Sequence, residues 1–168
     1  MNTIPWFERN LAFGLPAEML PFYLERLRGT GVRLEKKVAH LKNDILTHRP
    51  GGKWSIKQHI GHLAEVDEVA SKRIGEMLQG VPVMSPAVFE PKDYDPWPIG
   101  KVLDYFQNTR EKNVKTYDAI HPADLVKSSI HPRLKVPMTS IDLAWFDAEH
   151  DDHHLVKINE IIFNLTKI

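Results

Sequence analysis

Apolar residues recur at intervals of three and four over four long stretches, the period of helices that bury one face. The first stretch runs from Ala17 to about Leu41, with Leu20, Tyr23, Leu24, Leu27, Val32, Leu34, Val38 and Leu41 facing inward. Gly29 and Gly31 weaken it locally, and Pro21 is tolerated only because it lies near the start. The second runs from Ile56 to about Gln79, with Ile56, Ile60, Leu63, Val66, Ala70, Ile74 and Met77 as its stripe, Ser55 as N-cap and Gly80 as stop. The third covers about Ile99 to Ile120 through Val102, Phe106, Val114, Tyr117 and Ile120. The last, capped by Thr139 with Asp142 as box partner, reaches about Leu165.

Between these stretches lie breakers. His48–Trp54 (HRPGGKW) reads as a turn. Residues 80–98 hold Pro82, Pro86, Pro91, Pro96 and Pro98, a loop of functional length, and Val83, Met84, Val88, Phe89 and Trp97 predict that it packs down. His121–Met138 is a second Pro-marked connection. Residues through Pro16, with Trp6, Phe7, Leu11 and Phe13, read as a short helical arm docked on the body. Strand-like alternation is almost absent. The fold class expected is all-α: a four-helix bundle with long crossover loops and a short N-terminal helical arm, in a single domain over 1–168.

Composition narrows the function. Lys+Arg and Asp+Glu are equal at 22 each, so no net field favours nucleic acid or an anionic membrane. With no cysteine, thiolate metal sites and a cysteine nucleophile are excluded. No apolar run reaches the roughly 20 residues that span a bilayer, and the start MNTIPWFERN lacks a signal-peptide pattern, so a cytoplasmic location is the expectation.

The nine histidines carry the chemistry. Along the last helix the inward line reads Leu143, Asp147, His150, His154, Ile158, Ile161, Leu165. It is polar in the middle and apolar at both ends. Residues four apart share a helix face, so the two imidazoles can converge on one ion. Buried without a partner, two such rings would be costly. The second helix offers a third ligand, either His62, in line with Val66 and Val69, or His59 one turn earlier. Asp147, Asp151 and Glu65 are candidates to orient the rings, Asp147 also as a fourth ligand and Glu65 also as a proton acceptor. Asp152 is expected to be exposed. His153 should face outward or bond a neighbour, and His40, His48, His121 and His131 read as ordinary core or surface histidines.

Lys53–Leu63 (KWSIKQHIGHL), continuing into AEVDE, together with Glu149–His154 (EHDDHH), resembles the DinB/YfiT-like superfamily. The resemblance selects His62 over His59 and implies a three-histidine site of His62, His150 and His154 near one end of a four-helix bundle. It also implies a divalent metal, zinc or nickel first, a tendency to form homodimers, and relatives that include thiol-dependent transferases and a maleylpyruvate isomerase. Many relatives carry Arg-Gly-Gln after the histidine pair, where this chain has Leu155-Val156-Lys157. Their substrate contacts therefore do not transfer.

The expectation is a metal-dependent enzyme acting on a small-molecule substrate, of thiol-dependent transferase or hydrolase type, with a low-molecular-weight thiol as co-substrate. Phe89, Tyr94 and Trp97 would wall its pocket. The alternatives are a non-catalytic metal- or ligand-binding protein, and a dimeric bundle whose histidines are structural.

Overall fold

The computed structural model describes residues 3–90 and 92–166, so Pro91 lies outside the described residues. The helices are α1 (Leu20–Val38), α2 (Asn43–Leu46), α3 (Ile56–Leu78), α4 (Ile99–Asp118) and α5 (Ser140–Thr166), with strands β1 (Ser128–Ile130) and β2 (Pro137–Thr139) before α5. The four long helices match the four periodic stretches. α1 starts later than predicted because Ala17–Met19 form a separate 3-10 turn. The arm is not helical beyond one 3-10 turn at Trp6–Glu8. Side-chain docking shapes it, with Trp6 against Phe146 at 5.0 Å and Phe13 edge-on to Trp145 at 5.7 Å. α2 and the two strands have no counterpart in the prediction, since three or four residues are too few to show a period.

The termini follow the residues chosen for them. Ser55 Oγ accepts from the Gln58 amide at 3.1 Å. At α5 the Thr139 amide donates to Asp142 Oδ2 at 2.9 Å and the Asp142 amide to Thr139 Oγ1 at 3.3 Å, a reciprocal box. Asp142 Oδ1 also accepts from the Gly14 and Leu15 amides, tying the arm to the same helix start. Gly80, at φ 75°, ends α3 with Gly80 N–H to Met77 and Val81 N–H to Glu76, the double bond of a left-handed helix stop. Of the stripe residues, Val32 is 66% exposed, because five residues past Leu27 lies about 140° around the helix.

Side-chain bonds between helices give their directions. Arg26, Thr30 and Lys37 of α1 reach Glu149, Asp151 and Asn159 of α5 in rising order, so α1 and α5 are parallel. Asp67–Arg110 and Ser71–Asn113 rise together between α3 and α4. Arg28–Asp118 and Glu35–Gln107 run oppositely between α1 and α4. α3 packs on α4 and α5, and α1 on α5 and α4, so each parallel pair is adjacent. Parallel neighbours need a long return connection. Residues 84–97 make it for α3 and α4, running back beside α3: Arg73 donates to the Ser85 carbonyl, Tyr94 to Glu65, and Lys57 Nζ to the carbonyls of Asp95 and Trp97. Within it Met84 and Tyr94 are buried, whereas Val83 and Val88, expected to pack down, are 49% and 76% exposed. The second connection meets the first end-on, Ile130 N–H donating to the Pro82 carbonyl and Met84 N–H to that of Ile130.

The core falls into two clusters, one at the arm end around Leu27, Ile74, Tyr117 and Phe146, the other around Leu34, Ile60, Phe106 and Ile158. At the centre of the bundle sits Arg110, 4% exposed. Its Nε donates to both oxygens of Asp67 at 2.9 and 3.0 Å, Nη1 and Nη2 donate to Asp151 at 2.6 and 2.9 Å, and Nη1 also reaches the Leu27 carbonyl at 2.8 Å. Asn113 completes Asp67 and Thr30 completes Asp151. One guanidinium thus joins all four long helices. Removing one partner of such a network strands a buried charge at about 3–5 kcal/mol. Arg110→Met should therefore lower the urea unfolding free energy by that order, and adding Asp67→Asn and Asp151→Asn to the same chain should recover part of the loss; a single variant as stable as wild type would contradict this account.

Candidate metal centre

α3 and α5 run antiparallel here and set their polar faces against each other. Donor atoms of His62, His150 and His154 lie within 4.8 Å of one another. His150 Nε2 and His154 Nε2 are 3.1 Å apart. Two nitrogens on one tetrahedral ion at roughly 2.0–2.1 Å stand about 3.3 Å apart, so the pair already has ligand spacing. His154 is 4% exposed, while His62 and His150 are half-buried.

The remaining ring atoms decide whether these residues fit an ion. His154 Nδ1 lies 2.8 Å from His59 Nδ1, so His59 occupies the far side of the ring and leaves Nε2 to the cluster. The two α3 histidines that compete on spacing therefore divide the work, His62 joining the cluster and His59 orienting His154. Glu65 Oε2 stands 3.7 Å from His62 Nδ1, a carboxylate beside that ring without a direct hydrogen bond to it. His150 Nδ1 is buried and has no hydrogen-bond partner among the described residues. Burial holds all these rings neutral. It lowers His59 to about 4, with His153 and His62 adding to it, and His62 to about 4, and takes His150 and His154 well below their usual value. Neutral rings are what a metal requires, and three nitrogen donors without thiolate suit a borderline divalent ion.

The carboxylates separate. Asp151 is turned away to Arg110 and Thr30 and holds α5 in register one residue past His150. Asp147 is 4% exposed, and its Oδ2 has no hydrogen-bond partner among the described residues. Burial, with Asp67 and Asp151 nearby, pushes its pKa well above the usual carboxylate range, and it sits one turn before His150, outside the group of three donors. Glu65 accepts from Tyr94 at 2.7 Å. That bond depends on Gly61, where a Cβ would come within 2.3 Å of the Tyr94 ring. Asp152 is half-exposed and pairs with Arg26 and Arg33, and His153 Nδ1 meets Arg9 at 3.3 Å.

Aromatic rings enclose the cluster. Trp54 lies over His154 nearly parallel, centroids 5.8 Å apart, and 4.7 Å from His62. Trp6 stands edge-on to His150 at 5.1 Å and Phe89 to His62 at 4.9 Å. Two cavities open from the histidines and share His62 and His150. One of ≈ 530 Å3 runs along α3 to Arg73, His131 and Arg133 under Phe7 and Phe89. The other, ≈ 720 Å3, opens past Trp54, His59 and Lys157. Of the predicted wall, Phe89 lines the first cavity, Tyr94 lies behind Glu65, and Trp97 packs into the core beside Tyr94. Trp6, Trp54 and His131 were not singled out as site residues by spacing, whereas His59 was, as the competitor of His62. For His59 and Trp54 the signal lies in the segment Lys53–His62 itself, whose residues surround His154.

The solved structure of YfiT from Bacillus subtilis, described as a probable metal-dependent hydrolase with an unusual four-helix bundle topology, superposes with a TM-score of 0.80 at 18% identity, covering 94% of this chain and 93% of that one. The likeness shows the fold, including its all-α four-helix class. No curated protein sequence matches. No helix among the described residues is long and apolar enough to cross a membrane. A family model for the DinB superfamily matches residues 26–158, which takes in His62, His150 and His154 and most of the bundle, and the chain belongs to the DinB superfamily.

Proposed function

We propose that the protein is a metal-dependent enzyme that acts on a small molecule at a His62–His150–His154 centre. The observation that carries this reading is the convergence of three neutral nitrogen donors within 4.8 Å at a place where two cavities meet. A purely structural cluster would be closed on every side, whereas this one is open on two. Zinc or nickel fits the donor set. When bound, such an ion supplies Lewis acidity, lowering the pKa of a water or thiol held at its open position.

The chain's own residues do the rest. His59 holds the orientation of the His154 ring. Trp54, Trp6 and Phe89 limit water around the cluster. Glu65, whose Oε2 is the carboxylate oxygen nearest His62, accepts a proton from the nucleophile and keeps it within reach of the leaving group. No Ser, Thr or Cys side chain among the described residues lines either cavity, and in this reading the attacking group comes from solution, as water in a hydrolase or as a low-molecular-weight thiol in a transferase. Two cavities sharing one centre accommodate either.

Protein purified without a histidine tag should contain close to one equivalent of zinc or nickel by elemental analysis, and His150→Ala should abolish it. His59→Ala should keep the metal but weaken it about 10–100-fold, the usual effect of removing a ring's orienting partner. A metal content unchanged in His150→Ala would overturn the site. In the metal-loaded protein, Glu65→Gln should retain the metal and lose turnover in a screen of thiols and hydrolysable esters.

Acid should act on the metal-free fold in a defined direction. The unfolded chain protonates its histidines near 6.5, and the folded chain resists this down to about 4 at His59 and His62. The unfolded state then binds more protons between these values, so stability falls as pH drops from 6.5 toward 4. Each ring should contribute on the order of 1 kcal/mol by pH 5 after allowance for partial exposure. Urea titrations in chelator at pH 7 and 5 check this, and saturating Zn2+ should move the loss to lower pH.

A further inference from the structure

The ≈ 530 Å3 cavity ends, away from the histidine cluster, at a pair of groups that the fold leaves facing each other without an acceptor. His131 is 5% exposed and sits at the base of the loop joining β1 to β2. Its Nδ1 faces the backbone N–H groups of Arg133 and Leu134 at 3.3 and 3.1 Å. A neutral imidazole has one lone pair. Two amides claim it at Nδ1, so Nε2 carries the hydrogen. Yet Nε2 faces Arg73 Nη1 at 3.3 Å, and a guanidinium nitrogen can only donate. Two donors therefore point at one another.

Arg73 is itself short of acceptors. It is 6% exposed, and its other contacts are two long bonds, 3.3 Å each, from Nε and Nη2 to the single carbonyl of Ser85. No carboxylate among the described residues is ion-paired with it; Glu76 is engaged by the Ser85 amide and hydroxyl, and Asp147, which lines the same cavity, acts on it only through space. Burial lowers the Arg73 pKa by more than the nearby charges of Asp147 and Glu76 raise it. A buried charge left so is expensive unless something pairs with it.

We propose that this end of the cavity binds the carboxylate of the substrate, its oxygens accepting from Arg73 Nη1 and His131 Nε2. This rests on the enzyme reading above and names its substrate class: an elongated organic acid with its carboxylate at one end and its reacting group at the other. One buried cation matches one negative charge, and the planar guanidinium fork matches a carboxylate. The lining between the ends, Val66, Val69, Ala70, Phe89 and Phe146, is apolar. His62 and Arg73 are eleven residues apart on α3, about 16 Å of helix rise, shortened because helical side chains lean toward the N-terminus. Arg133, 3.4 Å over the Phe7 ring at the mouth, adds a positive rim that steers an anion inward.

Benzoate, benzamide and inorganic phosphate, titrated calorimetrically into the full chain with chelator present, test the subsite apart from any metal. Benzoate should bind at least 10-fold tighter than benzamide. Arg73→Gln should lose at least 10-fold in benzoate affinity while keeping wild-type metal content, and His131→Phe several-fold. Arg73→Lys, which keeps the charge without the fork, serves if the glutamine variant does not fold, and should fall between. Equal binding of benzoate and benzamide, unchanged benzoate affinity in folded Arg73 variants, or phosphate binding tighter than benzoate would each overturn the proposal. Benzoate binding that persists in His150→Ala supports the subsite even where metal analysis rejects the enzyme reading, so the two fail separately.

Discussion

The Arg110 guanidinium is the constraint on which the rest of the bundle turns. A cation at the centre of a helical core is tolerable only if each of its nitrogens finds an acceptor and its charge is matched. Here those conditions are met by Asp67, Asp151 and the Leu27 carbonyl, one from each neighbouring helix. The arrangement admits little sliding. Asp151 is one residue from His150, and Asp67 lies five residues past His62. Any shift of α5 against α3 that would spread the histidines would first break bidentate bonds at the centre. Apolar stripes alone would bury nearly as well after a one-turn slip; the buried ions fix which register is used.

Topology explains the placing of the site's walls. Because α3 and α4 point the same way, the chain must travel back along α3, and it does so over the face that carries His62, Glu65 and Arg73. The same crossing delivers Phe89 to the histidines, Tyr94 to Glu65 and the Ser85 carbonyl to Arg73. The arm, held by Asp142, brings Trp6 over His150 from the other side. The three clustered histidines belong to the helices, and the shape of the space in front of them belongs to two irregular segments.

That division also explains what the amino-acid pattern could and could not tell. Helix existence, the Ser55 and Thr139 caps, the Gly80 stop and the His150–His154 pair follow from local periods and local chemistry, which a single chain displays openly. The competition between His59 and His62 could not be resolved by phase, since both lie near the same face; the resemblance favoured His62, and the position of α5 puts that ring in the cluster and the other against His154. His131 reads as an isolated core histidine because its importance comes from Arg73, 58 residues away and on another element. Asp151 reads as a partner for a ring and is a partner for Arg110, for the same reason. Long-range pairing of polar groups leaves no period behind.

The return segment has a further consequence for how such a protein diversifies. Pro86, Ala87 and Phe89 of this segment line the ≈ 530 Å3 cavity but contribute nothing to the Arg110 network and are none of the three histidines. Insertions, deletions or exchanges there would reshape what enters while the histidine frame stays intact. A bundle wound this way separates the part of the gene that holds the clustered rings from the part that shapes the space before them, so one can change without re-inventing the other.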